Sequence, residues 1–129
     1  MSILENPLDI EIIAFGFKHG APAGLELLFD VRFLRNPNYE PDLEALTGFD
    51  PAVAAHIEED PSAAPFLERL FGLMDVLIPR YAQDRRRLKI GVGCTGGRHR
   101  SVYIARRLCA HLESAENARV RLETRDIAK

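Results

Sequence analysis

The residues that could do chemistry are concentrated in one stretch of the second half of the chain. It runs from Lys89 to Val102, KIGVGCTGGRHRSV, and combines a Cys, a Thr, a Gly-Gly pair, two Arg, a His and a Ser. An apolar run that ends at Val92 is followed by a Gly-rich basic loop and then by a helical pattern that begins near Ser101. Loop amides and the first turn of such a helix point at one place, where the helix dipole favours an anion.

The side chains of this loop suit the same ligand. Gly96 and Gly97 allow the backbone to approach a ligand closely, and Arg98, His99 and Arg100 supply cationic donors. A lone Gly-Gly pair would indicate only a tight turn with solvated neighbours. The combination of these residue types directly after a strand favours an anion-binding site.

The bulk composition limits the class of protein. A chain of 129 residues with 47% hydrophobic and 28% charged residues is typical of one soluble globular domain. It has no long apolar run, and it begins with acidic residues where a signal peptide has basic ones, so we expect a cytoplasmic protein without membrane contact. Cys94 and Cys109 form no CxxC pair, which argues against a disulfide framework or zinc ribbon. The net charge of −2 gives no global reason to expect nucleic acid, although a local basic patch could bind it.

Other segments are expected to bring further groups to the loop. The run Ile10–Phe15 predicts a buried strand, followed by a Gly-bounded loop that contains Lys18. If this strand is parallel to 88–92, both loops leave the same carboxyl edge of the sheet, where open α/β sheets bind ligands. Lys18 would then meet the same anion as Arg100, and the alternative is a solvated lysine in a surface loop.

A charged pair interrupts the next apolar run. Leu25–Leu34 predicts a strand, and residues two apart on a strand share a face, so Asp30 and Arg32 would project together. They form either a structural ion pair or part of a site, and the basic loop nearby favours the site. The segment 36–39 predicts a turn whose Asn side chains either reach a ligand hydroxyl or only cap the turn.

The rest of the chain predicts the scaffold. Residues 41 to about 85 are expected to be helical, with a break at 47–49, N-caps at Asp50 and Asp60, and a long helix over 62–81 that ends or kinks at Pro79. The apolar stripe of this long helix comprises Phe66, Leu70, Leu73, Met74, Leu77 and Tyr81.

A second sheet-packing helix is expected over 101–112, with Cys109 as a core residue, then a strand over 118–122 and a polar, frayed tail. Together these elements predict one α/β domain over residues 1–129, with a mostly parallel sheet flanked by helices.

The spacing within the loop also admits catalysis. Cys94, Arg100 and Ser101 match the Cys-x5-Arg-Ser/Thr spacing of cysteine-dependent phosphatases, in which the thiolate attacks phosphorus and the Arg holds the phosphate oxygens. Gly93 stands where those enzymes usually have His, and Asp30 is an unsupported candidate for the general acid. A metal site from Cys94, His99, Cys109 and His111 is a weaker alternative, because two of these lie on the packed helix.

Five segments together resemble one family. They are similar to the C-terminal domain of RapZ, and their sequences are GCTGGRHRSV, FGFKHG, FDVRFLRNPNY, LTGFD and FLERLFGLMDVLIPRY. RapZ is a bacterial RNase adaptor family whose full-length members carry an N-terminal P-loop nucleotide-binding domain. The resemblance covers roughly residues 11 to 114 in the same order. It implies a phosphofructokinase-like α/β fold, binding of glucosamine 6-phosphate, self-association and, in some bacteria, binding of small RNA for cleavage by a nuclease. The ligand positions that it implies are Asp30, Arg32, Asn38, Cys94, Thr95, Gly96, His99 and Arg100.

The departures from that family narrow the expectation. No GxxxxGK[ST] motif occurs, so nothing predicts nucleotide hydrolysis, and Asn38 stands where members often have His. The tail is less basic than in RNA-binding members. RNA binding would require that eight arginines gather on one face, namely Arg85, Arg86, Arg87, Arg98, Arg106, Arg107, Arg119 and Arg121.

The hypothesis is therefore a sugar-phosphate sensor, a regulatory binding domain more than an enzyme, without metal or cofactor. The amides of Thr95, Gly96 and Gly97 with the helix turn at Ser101 would cradle the phosphate. Arg100 and His99 would neutralise it, Asp30 would meet the amine or a hydroxyl, and Cys94 would lie at the loop base without nucleophilic work. The signal would pass to a protein partner, for which a P-loop protein and a nuclease are open alternatives.

Overall fold

The computed structural model describes residues 7–115 and 118–129, so the first six residues and 116–117 of the expected domain lie outside the described part. Four strands form one sheet, and every pairing in it is parallel. The strands are β1 (Leu8–Gly16), β2 (Leu27–Asp30), β3 (Arg87–Cys94) and β4 (Ala118–Thr124), in the spatial order β2-β3-β1-β4. The predicted α/β class with a mostly parallel sheet is confirmed.

Three helices complete the domain: α1 (Pro51–Glu58), α2 (Ala63–Asp84) and α3 (Arg100–Glu113). Short 3₁₀ turns follow β1 at Phe17–His19 and β2 at Pro37–Tyr39. Helix α3 packs on β1, β3 and β4, and α2 packs against α3. None of the helices in the described ranges is long and apolar enough to cross a membrane.

The two faces of the sheet differ. Ile10, Ile12, Ile90 and Val92 point into the core shared with the helices and are fully buried. The opposite face has no helix among the described residues. Its carboxyl half is covered by the side chains of Phe15, Phe17 and Leu25, which pack closely against Gly91 and Gly93 of β3.

The amino half of that face is charged. The acidic residues Asp9 and Glu11 of the central strand stand in register with basic residues on both sides, which are Arg87 and Lys89 on β3 and Arg119 and Arg121 on β4.

The helical region differs from the sequence prediction in its details. Residues 41–45 form turns, not a helix. Pro79 lies inside α2, on its exposed side, where water can reach the carbonyl that loses its amide partner. The buried face of α2 consists of Ala63, Leu67, Leu70, Met74 and Ile78. The predicted stripe is thus confirmed at Leu70 and Met74, and its members Phe66, Leu77 and Tyr81 pack partly buried against the core, but it is wrong at Leu73, which is 45% exposed.

Of the two predicted N-caps, Asp50 does occupy the N-cap position of α1, whereas the N-cap of α2 is Ser62 and not Asp60. Neither carboxylate bonds to an amide of the helix that it precedes. Pro51 does begin α1, but Asp50 accepts the amide of Thr47 instead of a helix amide. Asp60 accepts the amides of Ser62 and Arg35, and α2 begins only at Ala63. Both carboxylates therefore stabilise the connections before the helices.

The predicted frayed end is also wrong. Strand β4 extends to Thr124, and the turn that follows contains Asp126, a fully buried carboxylate. Its hydrogen bonds return to the end of β1, so the chain terminus is part of the fold.

Candidate functional site

The candidate site lies where the loops after β1 and β3 meet. These strands are neighbours, and their outgoing connections cross to opposite edges of the sheet, which is the arrangement that opens a ligand crevice at the carboxyl ends of the strands. The amide of Lys18 donates to the Thr95 carbonyl at 3.2 Å. The prediction that both loops leave the same edge is confirmed.

The two loops touch through their backbones. Gly97 has φ +84°, and a Cβ at this position would lie 2.5 Å from the Gly16 nitrogen. A side chain at Gly16 would in turn collide with the backbone of Gly96. Glycine is therefore required at Gly16 and Gly97 to seat the loop on the end of β1, and Gly97 also needs it for the left-handed backbone.

Most amides of the loop have no acceptor within the protein. Among residues 95–102, the Gly97 amide donates to Cys94 Sγ at 3.3 Å. The amides of residues 95, 96 and 98–102 find no acceptor within residues 7–115 and 118–129. Gly96 faces open space. Unpaired amides at a glycine loop and a helix N-terminus form the kind of concave surface that binds phosphate and other anions.

Cys94 lies beneath this surface. Its thiol is 3% exposed and stands 3.2 Å from Ser101 Oγ in addition to accepting the Gly97 amide. These contacts tie the end of β3 to the first turn of α3. A nucleophile must reach the phosphorus atom, so the burial of Cys94 favours a role in shaping the loop over the phosphatase alternative.

Arg100 makes contacts that the sequence does not indicate. Its side chain is 4% exposed, and Nη1 donates to the carbonyls of Arg32 at 2.7 Å and Leu34 at 3.1 Å. Nη2 donates to Thr95 Oγ1 at 3.4 Å, and Nε is buried with no hydrogen-bond partner in the described structure. Arg100 therefore clamps the segment after β2 against the loop, and its charge lies beside both.

Asp30 and Arg32 form a two-pronged ion pair at the same edge. Arg32 Nε and Nη2 donate to the Asp30 carboxylate at 3.0 and 2.7 Å, and the guanidinium stacks on Phe17 at 4.0 Å. Arg32 follows the end of β2, so the two side chains meet through a turn, with the Arg32 amide on Asp30 Oδ1, and not by strand alternation.

This ion pair remains accessible. Both side chains are about half exposed, at 49% for Arg32 and 47% for Asp30. The hydrogen bonds from Arg32, with a contribution from the Arg100 charge, hold the pKa of Asp30 below its usual range despite partial burial. Asp30 is therefore an ionised carboxylate that a cationic ligand group can reach.

His99 is unlike the phosphate-neutralising residue that was expected. It is buried, and burial, reinforced by the charge of Arg98, lowers its pKa, although the carbonyls of Leu46, Glu44 and Leu43 oppose the shift. The imidazole is therefore neutral at pH 7 and lies against the 43–46 turn. Its backbone lies at the N-cap position of α3, among the unpaired amides.

The remaining expected ligand residues lie at the surface. Lys18 and Thr95 are exposed on the two loops that meet. Asn38 is exposed in the 3₁₀ turn after β2, where its amide donates to Asn36 Oδ1 at 3.0 Å. This bond is a turn cap made by the Asn36 side chain, and within the described residues the Asn38 side chain forms no hydrogen bond to the loop.

Sequence reasoning missed Asp126. Its carboxylate is fully buried and accepts the Gly16 amide at 2.8 Å, along with hydrogen bonds from Arg125 and Lys129. Burial alone would raise its pKa, but these donors together hold the pKa well below its usual range. A single Asp in a polar tail carries no periodic signal, so only the fold identifies it.

The eight arginines that an RNA site would need do not share one surface. Arg87, Arg119 and Arg121 line a cavity of about 580 Å³ at the amino end of the sheet, and Arg85 and Arg86 adjoin Arg87 in sequence. The other three bond to the helices and the turn before them. Arg98 donates to the Ala45 carbonyl, Arg106 to the Gly48 carbonyl and Arg107 to the Tyr103 hydroxyl. Over the described ranges, no three His, Cys, Asp or Glu side chains converge to hold a metal.

Comparison with known proteins agrees with this architecture. Residues 8–128 match the family model described as the RapZ C-terminal domain. The chain is 51% identical over 116 residues to a nucleotide-binding protein of Rhodospirillum rubrum, covering 88% of this chain and 36% of that protein.

Two further nucleotide-binding proteins are similar to this chain over most of its length. One from Rubrobacter xylanophilus is 54% identical over 110 residues, covering 84% of this chain and 36% of the relative. One from Symbiobacterium thermophilum is 46% identical over 127 residues, covering 97% and 42%. The chain thus spans about two fifths of the length of these relatives, and over that span it belongs to the RapZ C-terminal domain family.

Proposed function

We propose that this domain is a sensor that binds a phosphorylated amino sugar, with glucosamine 6-phosphate as the first candidate, at the loop 94–101. The observation that carries the proposal is the run of unpaired amides at residues 95, 96 and 98–102, at the N-terminus of α3. A phosphate dianion accepts hydrogen bonds from such amides, and the helix dipole adds to its stability.

The amino group is assigned to Asp30. Arg100 touches both Thr95 of the loop and the carbonyl of Arg32, so the ion pair lies beside the phosphate position. A sugar whose phosphate occupies the loop can therefore direct its ammonium to the ionised, half-exposed Asp30 carboxylate. Arg32 and Lys18 supply further positive charge at the rim.

The test is a thermal-stability screen of the purified protein against glucosamine 6-phosphate, glucose 6-phosphate, glucosamine and inorganic phosphate. A ligand that binds only the folded state raises the melting temperature by mass action. We expect the largest shift with glucosamine 6-phosphate, a smaller one with glucose 6-phosphate and none with glucosamine. Equal shifts with every phosphate would reduce the site to a general anion site.

A matched pair of variants locates the site. Gly96→Val places a side chain where a Cβ meets nothing within 4 Å, so we expect the fold to be retained and the phosphate to be obstructed. Gly72→Ala, at another open glycine on the exposed side of α2, is the control. A response to glucosamine 6-phosphate that survives in Gly96→Val would place the ligand elsewhere.

A second candidate, binding of small RNA, lacks the single face of eight arginines and now depends on a smaller basic cluster around the cavity at the amino end of the sheet, namely Arg87, Lys89, Arg119 and Arg121. Asp9 and Glu11 pair with two of these and offset part of the charge. RNA binding by this surface should weaken in Arg87→Ala/Lys89→Ala and fall steeply with salt. Absence of a mobility shift of a labelled small RNA at low salt would eliminate this candidate.

A further inference from the structure

A buried carboxylate lies behind the phosphate loop, in the turn after β4. Asp126 Oδ2 accepts the Gly16 amide at 2.8 Å and Arg125 Nη2 at 2.8 Å. Oδ1 accepts Arg125 Nε at 2.9 Å and faces Lys129 Nζ at 2.9 Å. All these donors converge on a side chain with no exposed surface, which is the condition under which a carboxylate can be buried.

The Gly16 amide is the link from this carboxylate to the loop. A Cβ at Gly97 would lie 2.5 Å from the Gly16 nitrogen and 3.0 Å from Asp126 Cβ. Gly16, Gly97 and Asp126 are thus packed together without space between them. A shift of the Gly16 amide toward Gly97 would therefore require the Gly97 backbone to move, and the Gly96 amide adjoins it in the chain.

The same cluster holds the second loop. Arg125 Nη2 donates to the carbonyl of Gly20 at 2.6 Å, at the end of the loop that carries Lys18. The charge of the cluster also matters, because an unpaired carboxylate near a phosphate would repel it. Arg125 and Lys129 neutralise Asp126 and leave the cluster with a positive excess.

We propose that Asp126 is a positioning residue of the anion site, which fixes the Gly96–Gly97 backbone in its binding geometry through the Gly16 amide. The claim rests on the proposed function in so far as it concerns ligand affinity. It extends that function, because it makes the segment 125–129 part of the binding apparatus without contact with the ligand.

The test compares Asp126→Ala, Asp126→Asn and a control, Asp60→Ala. Asp60 also accepts two backbone amides, at 2.7 and 2.8 Å, but from Arg35 and Ser62, which belong to neither of the loops after β1 and β3. Asp126→Asn retains an oxygen that can accept the Gly16 amide. The readouts are the affinity for glucosamine 6-phosphate and for inorganic phosphate, and the ¹H–¹⁵N amide signals of Gly16, Gly96 and Gly97.

Asp126→Ala is expected to weaken binding about tenfold or more and to shift or broaden the Gly96 and Gly97 signals. Asp126→Asn should stay within about threefold of the wild type, since the acceptor is retained. Asp60→Ala should change stability alone. A folded Asp126→Ala protein with unchanged affinity and unchanged Gly97 signals would overturn the proposal.

The design separates this proposal from the proposed function. If the wild type binds neither ligand, the sensor function fails, and the Gly96 and Gly97 signals of the unliganded variants still decide whether Asp126 positions the loop. If Asp126→Ala does not fold, Asp126→Glu replaces it, because that variant keeps the charge and moves the carboxylate by one methylene. Unchanged loop signals in Asp126→Glu would then contradict the proposal.

Discussion

Replacement of Arg100 by Ala tests whether this residue clamps two segments or serves only a ligand. The guanidinium satisfies the buried Leu34 carbonyl and the partly buried Arg32 carbonyl. A buried carbonyl left without its donor costs about 1 to 3 kcal/mol, and the Arg32 carbonyl can recover part of this from water. We therefore expect a loss of about 3 kcal/mol in the free energy of unfolding. For a domain of this size that corresponds to a melting temperature about 10 °C lower.

The assay is urea unfolding followed by circular dichroism, because the chain has no Trp. Arg98→Ala is the control, since its side chain makes one exposed contact with the Ala45 carbonyl and should cost less than about 1 kcal/mol. The loss in free energy of unfolding for Arg100→Lys should lie between those for Arg100→Ala and Arg98→Ala. If Arg100→Ala lost ligand affinity with wild-type stability, Arg100 would be a ligand residue and the clamp would be refuted.

Further predictions concern Gly97, His99 and Tyr103. Gly97→Ala should be severely destabilised, because the backbone at this position is left-handed and the added Cβ would collide with Gly16. Gly96→Ala, the control, should melt within about 2 °C of the wild type. Equal melting temperatures of the two variants would contradict the close contact between the loops after β1 and β3. Because the pKa of His99 is lowered in the folded protein, its imidazole takes up a proton in the unfolded state first as the pH falls. The free energy of unfolding should therefore decrease as the pH drops below 6.5, the ordinary pKa of histidine. His99→Gln should flatten this part of the pH profile of the free energy of unfolding measured in urea. Burial and the hydrogen bond to Glu58 raise the pKa of Tyr103 to about 12. Tyr103→Phe should therefore remove the tyrosine ionisation that occurs at the highest pH when absorbance at about 295 nm is followed during an alkaline titration. An unchanged titration would contradict the burial of this hydroxyl.

Local patterns were sufficient for the central parts of the fold. The apolar runs at 10–15 and 88–92 predicted β1 and β3, and the Gly-rich loop between a strand and a helix predicted where α3 begins. Parallel pairing of these strands then placed both loops at one edge. The long helix was predicted within a few residues, but the periodicity of its many apolar residues allowed two faces, and packing against α3 buried Leu67 and Ile78 and exposed Leu73.

Long-range hydrogen bonds could not be predicted from the sequence. Arg100 is separated by 68 residues from the Arg32 carbonyl that it binds, and Asp126 by 110 residues from Gly16. Residue type indicated a cationic donor in the loop, but not that its hydrogen bonds are directed to a neighbouring segment. Similarly, burial beside the 43–46 turn makes His99 neutral, and no local pattern reports that burial.

The most direct test of the central claim is a titration of the ¹⁵N-labelled wild-type protein with glucosamine 6-phosphate, followed at the backbone amides. We expect saturable shifts of the unpaired amides of residues 95, 96 and 98–102, with a smaller response at Gly97, whose amide is held by Cys94. Shifts confined to the cavity lined by Arg87, Arg119 and Arg121, or no saturable shift at the loop, would contradict it.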